Sequence, residues 1–472
     1  MLTVSIGLVF FAASLLFVEF LKLQWKRRQL PPGPTPYPLF GNLLQMKFRI
    51  HHDILKKSSC NMSKLHGNIF TLWLANTPVV VLQGYQAVKE GMTAHAEEVA
   101  GRPQNLVNIF SKFYETLLFG FCVMFSNGHL WKQQRRFGLV TMRRMGVGKK
   151  DQDCQIQEEA CRLVEYLRET NGKPLDPTMP IVHAVSNVIC ALILGHRFSI
   201  EDKNFRRLIE AFAEYHISKI SLSQVHDQIP WFADRFLTPC KKTFSSVNFM
   251  RTLLAEEIEN ADATYDKENL IQAIFDLFLA GTETTATTLR WALLYMVVYP
   301  DVQEKVQKEL DAVLGRSNLA CYTDRKRLPY TNAVIHEIQR YSNIILIALP
   351  RQTVKDTELL GYPIPKNTIV LVNIDSVLSD PEKWETPDQF NPGHFLDKDG
   401  NFVHREAFLP FSIGSRVCMG ELLARLELFI VFSTLLRAFR FTLPDGVKEV
   451  NTKFVFGSTM KPPPYQLCAI PR

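Results

Sequence analysis

Charge is sparse in this chain. Only 21% of its 472 residues are charged, and the net balance is just +7. That modest excess suits an acidic partner or a membrane surface and is too small to imply nucleic acid. The nine cysteines (60, 122, 154, 161, 190, 240, 321, 418 and 468) are odd in number and scattered, with no Cys-x-x-Cys pair. This excludes a dense disulfide framework and points to a reducing compartment for the bulk of the chain. No G-x-G-x-x-G follows a strand pattern, and Gly146-Val147-Gly148-Lys149 lacks the spacing of a phosphate loop. A nicotinamide-binding dehydrogenase is therefore excluded. From residue 39 onward there is no internal repeat and no low-complexity linker, so one large domain is expected over 39–472. What is abundant is apolar: 46% hydrophobic residues, with 33 phenylalanines. Such a chain buries a large core and is not disordered.

Charge is wholly absent from residues 2–18, after which Glu19 and Lys22 appear, followed by Lys26, Arg27 and Arg28. About 20 helical residues span a hydrocarbon core of roughly 30 Å. No basic region precedes the apolar run, as a cleaved signal peptide would require, and the basic cluster follows it instead. Residues 1–28 are expected to be a retained signal-anchor helix with everything after them on the cytoplasmic side. Pro31, Pro32, Pro34, Pro36 and Pro38 exclude helix, so 29–38 reads as a stiff hinge between anchor and body.

Within the body, strand patterns are few: 69–74 and 79–82 as a hairpin, then 369–372, 439–443 and 465–470. Helical periodicity dominates, over 156–169, 181–195, 203–217, 268–299, 301–314, 330–341 and 419–438. The expected class is mainly α with a small β portion.

The strongest local signal is Phe411-Ser412-Ile413-Gly414-Ser415-Arg416-Val417-Cys418-Met419-Gly420, an F-x-x-G-x-R-x-C-x-G pattern. Its five fixed positions would recur by chance about once in 10⁴ chains of this length. Cys418 lies between a glycine-bearing loop and a long apolar helix. A thiolate there needs main-chain N–H groups, a helix N-terminus or a cation, and Arg416 offers a cation two residues away. The flanking glycines permit close approach to a flat ligand.

This pattern resembles the haem-binding loop of the cytochromes P450, the haem-thiolate monooxygenases. The resemblance implies the large helical fold of that family and Cys418 as axial ligand to the iron of haem b. Other segments match in turn. Ala280-Gly281-Thr282-Glu283-Thr284-Thr285 sits inside an apolar helix that stops at Pro300. In the family this segment opens beside the haem, and the acid/Thr pair, here Glu283 and Thr284, manages protons. A glycine packed against a neighbour, with threonines bonded back to the i−4 carbonyl, is the plainer reading of the same residues. Glu337 and Arg340 form Glu-x-x-Arg on one helical face. In the family this pair joins a third residue, here His394 in Asn391-Pro392-Gly393-His394-Phe395, and holds the cysteine loop. Trp131 and Arg135 (W-x-x-x-R), Arg102 (Gly101-Arg102-Pro103), Arg351 (Leu349-Pro350-Arg351) and Arg416 match positions that bind haem propionates, for which the planar guanidinium fork is suited.

The resemblance covers the whole chain and is nearest to the second animal microsomal family, to members like its subfamily J. It implies insertion of one oxygen atom of dioxygen into a lipophilic substrate, a fatty acid or a xenobiotic, by hydroxylation or epoxidation. Electrons would come from NADPH only through its flavin reductase, with cytochrome b5 as a second donor. Lys132, Arg135, Arg136, Arg143 and Arg144 offer a basic face to an acidic reductase. The body would face the cytoplasm from a single-pass anchor in the endoplasmic reticulum bilayer. By analogy, Asp276, Ala280, Thr284, Ile344, Ile345, Leu349, Ser458 and Thr459 would line the substrate pocket. One departure stands out: only ten residues separate Ile258 from Asn269, where the family has a further helix. Two alternatives follow, a haem-thiolate peroxide isomerase or dehydratase, and a non-catalytic haem-binding relic.

Overall fold

The computed structural model describes residues 2–42, 45, 61–74, 76–103, 123–209, 267–315, 319–455, 457 and 459–472. The shortened stretch before residue 267, and Ser458, lie outside the described residues, as does the expected helix 203–217 beyond residue 209. In chain order the elements used below are α1 (Leu2–Arg27), β1 (Ile69–Leu74), β2 (Thr77–Leu82), α2 (Gly84–Thr93), α3 (Gly128–Arg144), α4 (Lys150–Glu169) and α5 (Thr178–Leu194). There follow α6 (Lys267–Val298), α7 (Pro300–Leu314), α8 (Pro329–Ser342), β3 (Arg351–Gln352), β4 (Thr357–Leu359), β5 (Tyr362–Ile364), β6 (Ile369–Val372), α9 (Ile374–Leu378), α10 (Glu421–Ala438), β7 (Phe439–Thr442) and β8 (Cys468–Pro471). Helix predominates and the sheets are small, the class expected from periodicity.

The chain forms two compact units. The first comprises Met1–Asn105, Leu346–Lys383 and Phe411–Val417. Its sheet has the order β1-β2-β6-β3, with β1 antiparallel to β2, β2 parallel to β6 and β3 antiparallel to β6. Phe70, Trp73, Val80, Leu82 and Val370 are fully or almost fully buried, and this is why these β-branched and aromatic runs form strands. Pro78 opens β2 beyond the register shared with β6, where no ladder N–H is required of it. The hairpin β4–β5 turns at Leu360 and Gly361, both at positive φ, a geometry that the pair Leu-Gly does not announce in sequence. The proline segment packs on β1. Thr71 N–H donates to the Pro32 carbonyl at 2.9 Å, Arg27 Nη2 donates to the Gly33 carbonyl at 2.7 Å, and a Cβ on Gly33 would lie 2.0 Å from the Thr71 oxygen. Pro fixes the backbone, and Gly33 lets that backbone seat directly on β1.

Among the described residues no helix is long and apolar enough to cross a membrane, and several side chains of α1 lie outside that set.

The second unit comprises Leu106–Ile345, Trp384–Pro410 and Cys418–Arg472. Its core is built on α6 and α10. In α10, Leu423, Leu426 and every residue from Glu427 to Leu436 are buried, so its composition is apolar all round rather than striped. Burial of each Phe or Leu there contributes roughly 1.5–3 kcal/mol. Helix α7 starts with Pro300 at its first turn and ends before Gly315. The expected loosening of α6 at Gly281 is not seen. The helix is continuous from Lys267 to Val298, and a Cβ on Gly281 would fall 2.7 Å from Ile189 Cδ1 of α5. Gly281 is there because two helices approach closely.

Candidate active site

In the second unit, Cys418 is placed three residues before Glu421, the first residue of α10. Its side chain is accessible, yet protein surrounds it densely enough that desolvation pushes the thiol up from its ordinary range. The Gly420 and Glu421 main-chain N–H groups bond its sulfur and favour the thiolate, as does the charge of Arg135, while the Glu421 carboxylate opposes it. A cation that acts on Cys418 is thus Arg135, on α3. Arg135 is half-buried, and burial holds its guanidinium below the usual value while the Cys418 charge acts the other way. Trp131, one helical turn earlier, is buried at 4% exposure. Helix α3 is seated against the cysteine loop so closely that a Cβ on Gly138 would lie 2.7 Å from Met419 Cε.

Helix α6 supplies a second feature. Between residues 271 and 290 nearly everything is buried, except a stripe of Ala273, Leu277, Ala280, Gly281 and Thr284, to which Glu283 adds its side chain. The spacing of three to four residues makes one apolar, open line along the helix, ending at a hydroxyl. The Thr284 hydroxyl donates to the Ala280 carbonyl at 2.7 Å, the plainer of the two sequence readings. Glu283 Oε1 accepts from Thr459 Oγ1 at 2.8 Å and pairs with Lys461 Nζ at 2.9 Å. Of the expected pocket residues, Ile344 and Ile345 are half-buried. Asp276 is buried, with its carboxylate taken up by the Met124 N–H at 3.3 Å and Gln272 Nε2 at 3.2 Å.

Glu337, Arg340 and His394 also belong to this unit and are all but inaccessible. Arg340 Nε and Nη2 each donate to Glu337 at 2.7 Å, a bidentate pair, and Arg340 also donates to the Pro387 and Gln389 carbonyls. His394 Nε2 accepts from the Thr386 N–H at 3.2 Å, which leaves Nδ1 as the nitrogen that donates to Glu337 Oε2 at 3.2 Å. The Asn391 N–H completes the shell around Glu337.

The first unit gathers the other arginines. Arg102 Nη1 donates to the Leu349 and Pro350 carbonyls at 2.8 Å each. Arg351 reaches Ser412 Oγ at 3.5 Å, and Arg416 Nε donates to the Ala100 carbonyl at 2.8 Å. The segments 100–102, 349–351 and 412–416 are thus linked in a ring that holds three buried guanidinium groups. Gly414, at φ +83°, permits the loop to pass Met92, whose oxygen a Cβ would meet at 2.3 Å. Leu349 is exposed.

These donor sets fit haem. The accessible sulfur, fed by two N–H groups and a cation, is the chemistry of an axial thiolate. The buried guanidinium groups are the chemistry that binds carboxylates, and burying several like charges is costly without an anion. Sequence reasoning assigns no role to Lys461, the lone cation in an apolar C-terminal stretch, or to Glu427, the acid inside the apolar run of α10. In each case a single charge interrupting hydrophobic residues is the available signal.

Comparison with known proteins agrees with this chemistry. The family model described as Cytochrome P450 matches residues 31–267 and 244–469. The chain is 40% identical to Cytochrome P450 2C25 of Mesocricetus auratus (98% of this chain, 99% of the relative). It is 40% identical to human Cytochrome P450 2C8 (94% and 95%) and 39% identical to human Cytochrome P450 2J2 (98% and 95%). The subfamily C and J relatives are thus about equally similar. The hamster alignment runs over 493 positions against a chain of 472, so at least 21 of those positions have no counterpart here. The family match breaks and overlaps at 244–267, around the segment that the sequence shows to be short. These relatives give no support to an isomerase or to a non-catalytic relic. A cysteine sulfur poised at a helix start, arginines gathered for carboxylates and full-length likeness to these enzymes make the chain a member of the cytochrome P450 family, a haem-thiolate monooxygenase of lipophilic substrates that takes its electrons from a reductase.

Proposed function

We propose that this chain hydroxylates or epoxidises a fatty acid or a xenobiotic at the endoplasmic reticulum membrane. One oxygen atom of O2 enters the substrate and the other leaves as water, with two electrons from NADPH and two protons consumed. Haem, held through Cys418, supplies the iron chemistry that activates dioxygen. Arg102, Arg351, Arg416, Trp131 and Arg135 are the residues that would hold its carboxylates, and Glu337, Arg340 and His394 would hold the backbone that presents Cys418. The observation that carries the substrate reading is the open apolar stripe of α6 ending at Thr284. A lipophilic substrate lies along it, met by Ala280, Ile344, Ile345, Thr459 and Asp276, to which the resemblance adds Leu349 and Ser458. Thr284 and Glu283 govern delivery of the protons.

Residues 1–28 act as the single-pass anchor, 29–38 as the hinge and 39–472 as the cytoplasmic catalytic body. Helix α1 is 26 residues long, about 39 Å at 1.5 Å per residue, and Phe10, Phe11, Phe17 and Trp25 are exposed around it, which suits lipid. The exposed basic residues Lys132, Arg136, Arg143 and Arg144 of α3 suit an acidic reductase surface, with cytochrome b5 as a second donor.

The deciding measurement is product formed per NADPH consumed in vesicles with reductase, with peroxide assayed alongside. Thr284→Ala is expected to bind haem and substrate normally, to lower that ratio and to release hydrogen peroxide instead. An unchanged ratio removes Thr284 from proton delivery. A wild-type chain that yields only peroxide removes the monooxygenase reading.

A further inference from the structure

The acid of the acid/Thr pair is tied to a distant part of the chain. Glu283 and Lys461 are 178 residues apart in sequence, and their side chains are 13% and 15% exposed, with 2.9 Å between Oε1 and Nζ. Thr459 Oγ1 donates to the same oxygen at 2.8 Å and lies 3.5 Å from Thr287 Oγ1, one turn along α6.

The segment that carries both donors is fixed at its backbone. Val455 and Lys461 exchange main-chain hydrogen bonds at 2.7 and 3.1 Å. The Met460 N–H donates to the Ile344 carbonyl at 2.9 Å, and Trp291 Nε1 of α6 donates to the Met460 carbonyl at 2.8 Å. Lysine ordinarily keeps its ammonium in water on a flexible stem. Here the stem runs from a hydrogen-bonded backbone to a carboxylate largely out of solvent. A largely buried ion pair also makes each partner dependent on the other, since loss of one leaves an uncompensated charge.

We infer that Lys461 is a positioning residue for Glu283, locking its carboxylate to the backbone at Met460 and Lys461 so that the acid beside Thr284 keeps a single orientation during oxygen chemistry. This rests on the role given above to Glu283. Lys461 touches neither substrate nor haem in this reading and acts only through the carboxylate. Thr459 adds a neutral donor to the same oxygen, and Lys461 adds the charge that a largely buried carboxylate needs.

The test compares Lys461→Met, Lys461→Arg, Glu283→Gln and the double variant Lys461→Met/Glu283→Gln, as full-length chains in vesicles with reductase. Two quantities are read: product per NADPH, and amide hydrogen exchange of the 453–461 peptide in the ferric protein without turnover. Lys461→Met is expected to lower product per NADPH by roughly three- to tenfold and to speed exchange, with the thiolate signature of the ferrous–carbonyl complex retained. Lys461→Arg restores both. In the Glu283→Gln background, Lys461→Met has no further effect on either. If Glu283→Gln lowers the ratio but Lys461→Met does not, or if Lys461→Met costs as much in both backgrounds, the positioning role is overturned and the reading of Glu283 stands. If Glu283→Gln leaves the ratio unchanged, that reading falls and takes the positioning role with it. Slower exchange or none in Lys461→Met overturns the lock whatever the turnover does.

Discussion

Glu427 of α10 is 1% exposed and accepts a hydrogen bond from Thr285 of α6, the residue next to Thr284. Its other oxygen, Oε1, has no hydrogen-bond partner among the described residues. Burial raises its carboxyl to about 8, more than the Thr285 hydroxyl can offset. The two central helices of the second unit are therefore joined by a carboxylic acid that is neutral at physiological pH.

A stability–pH relationship follows. The folded value lies above the unfolded one, so the group's full contribution is present below about pH 4.5 and is lost as pH rises towards 8. The span corresponds to roughly 5 kcal/mol. Glu427→Gln is expected to remove this slope, so its melting temperature relative to wild type rises steadily from pH 5 to pH 8. A constant difference across that range would show that Glu427 ionises normally.

Arg340→Ala leaves the buried Glu337 carboxylate with His394 and one main-chain N–H. Breaking such a pair costs about 3–5 kcal/mol. Denaturant unfolding should show a loss of that size, together with reduced haem retention. Arg340→Lys is expected to recover only part of it, because an ammonium cannot reproduce the fork that spans both Glu337 oxygens and the Pro387 and Gln389 carbonyls. Full recovery by lysine would mean that charge alone is needed there.

Gly281 and Ile189 form a pair that can be tested by steric exchange. Gly281→Ala gains helix propensity of up to about 1 kcal/mol but forces Ile189 Cδ1 to move, at roughly 1–3 kcal/mol. Removing that methyl with Ile189→Val should make Gly281→Ala neutral or stabilising. The thermal stabilities of the four proteins in this cycle measure it, and additive effects would indicate that the glycine serves backbone opening instead.

Cys418→Ala should abolish the thiolate signature of the ferrous–carbonyl complex along with most of the bound haem. Cys468→Ala, in β8, should preserve both. Haem retained with an unchanged spectrum in Cys418→Ala would displace the ligand assignment.

The cysteine loop, the Glu-x-x-Arg spacing and the long apolar helices are legible from residue order because each is a local relation. Fixed offsets in a loop or along a helix place side chains together whatever the rest of the chain does. Proximity in sequence offers Cys418 only Arg416 as a cation, while the fold also brings Arg135 from α3, a contact no local spacing announces. The β4–β5 hairpin escaped notice because Leu360-Gly361 lacks the Asn or Asp that usually marks such a turn. The proline segment reads as a spacer because proline specifies stiffness and says nothing of what the stiff chain leans on, here β1.

By itself the sequence determined the class of fold, the thiolate loop and the family chemistry, since these depend on composition, periodicity and short-range spacing. Only the tertiary structure decided that Gly281 serves packing, that Glu283 faces Lys461 and that Glu427 sits unionised against Thr285. Those outcomes depend on which distant residues share a small, poorly solvated volume. Such contacts are selected by packing and desolvation, which no local pattern encodes.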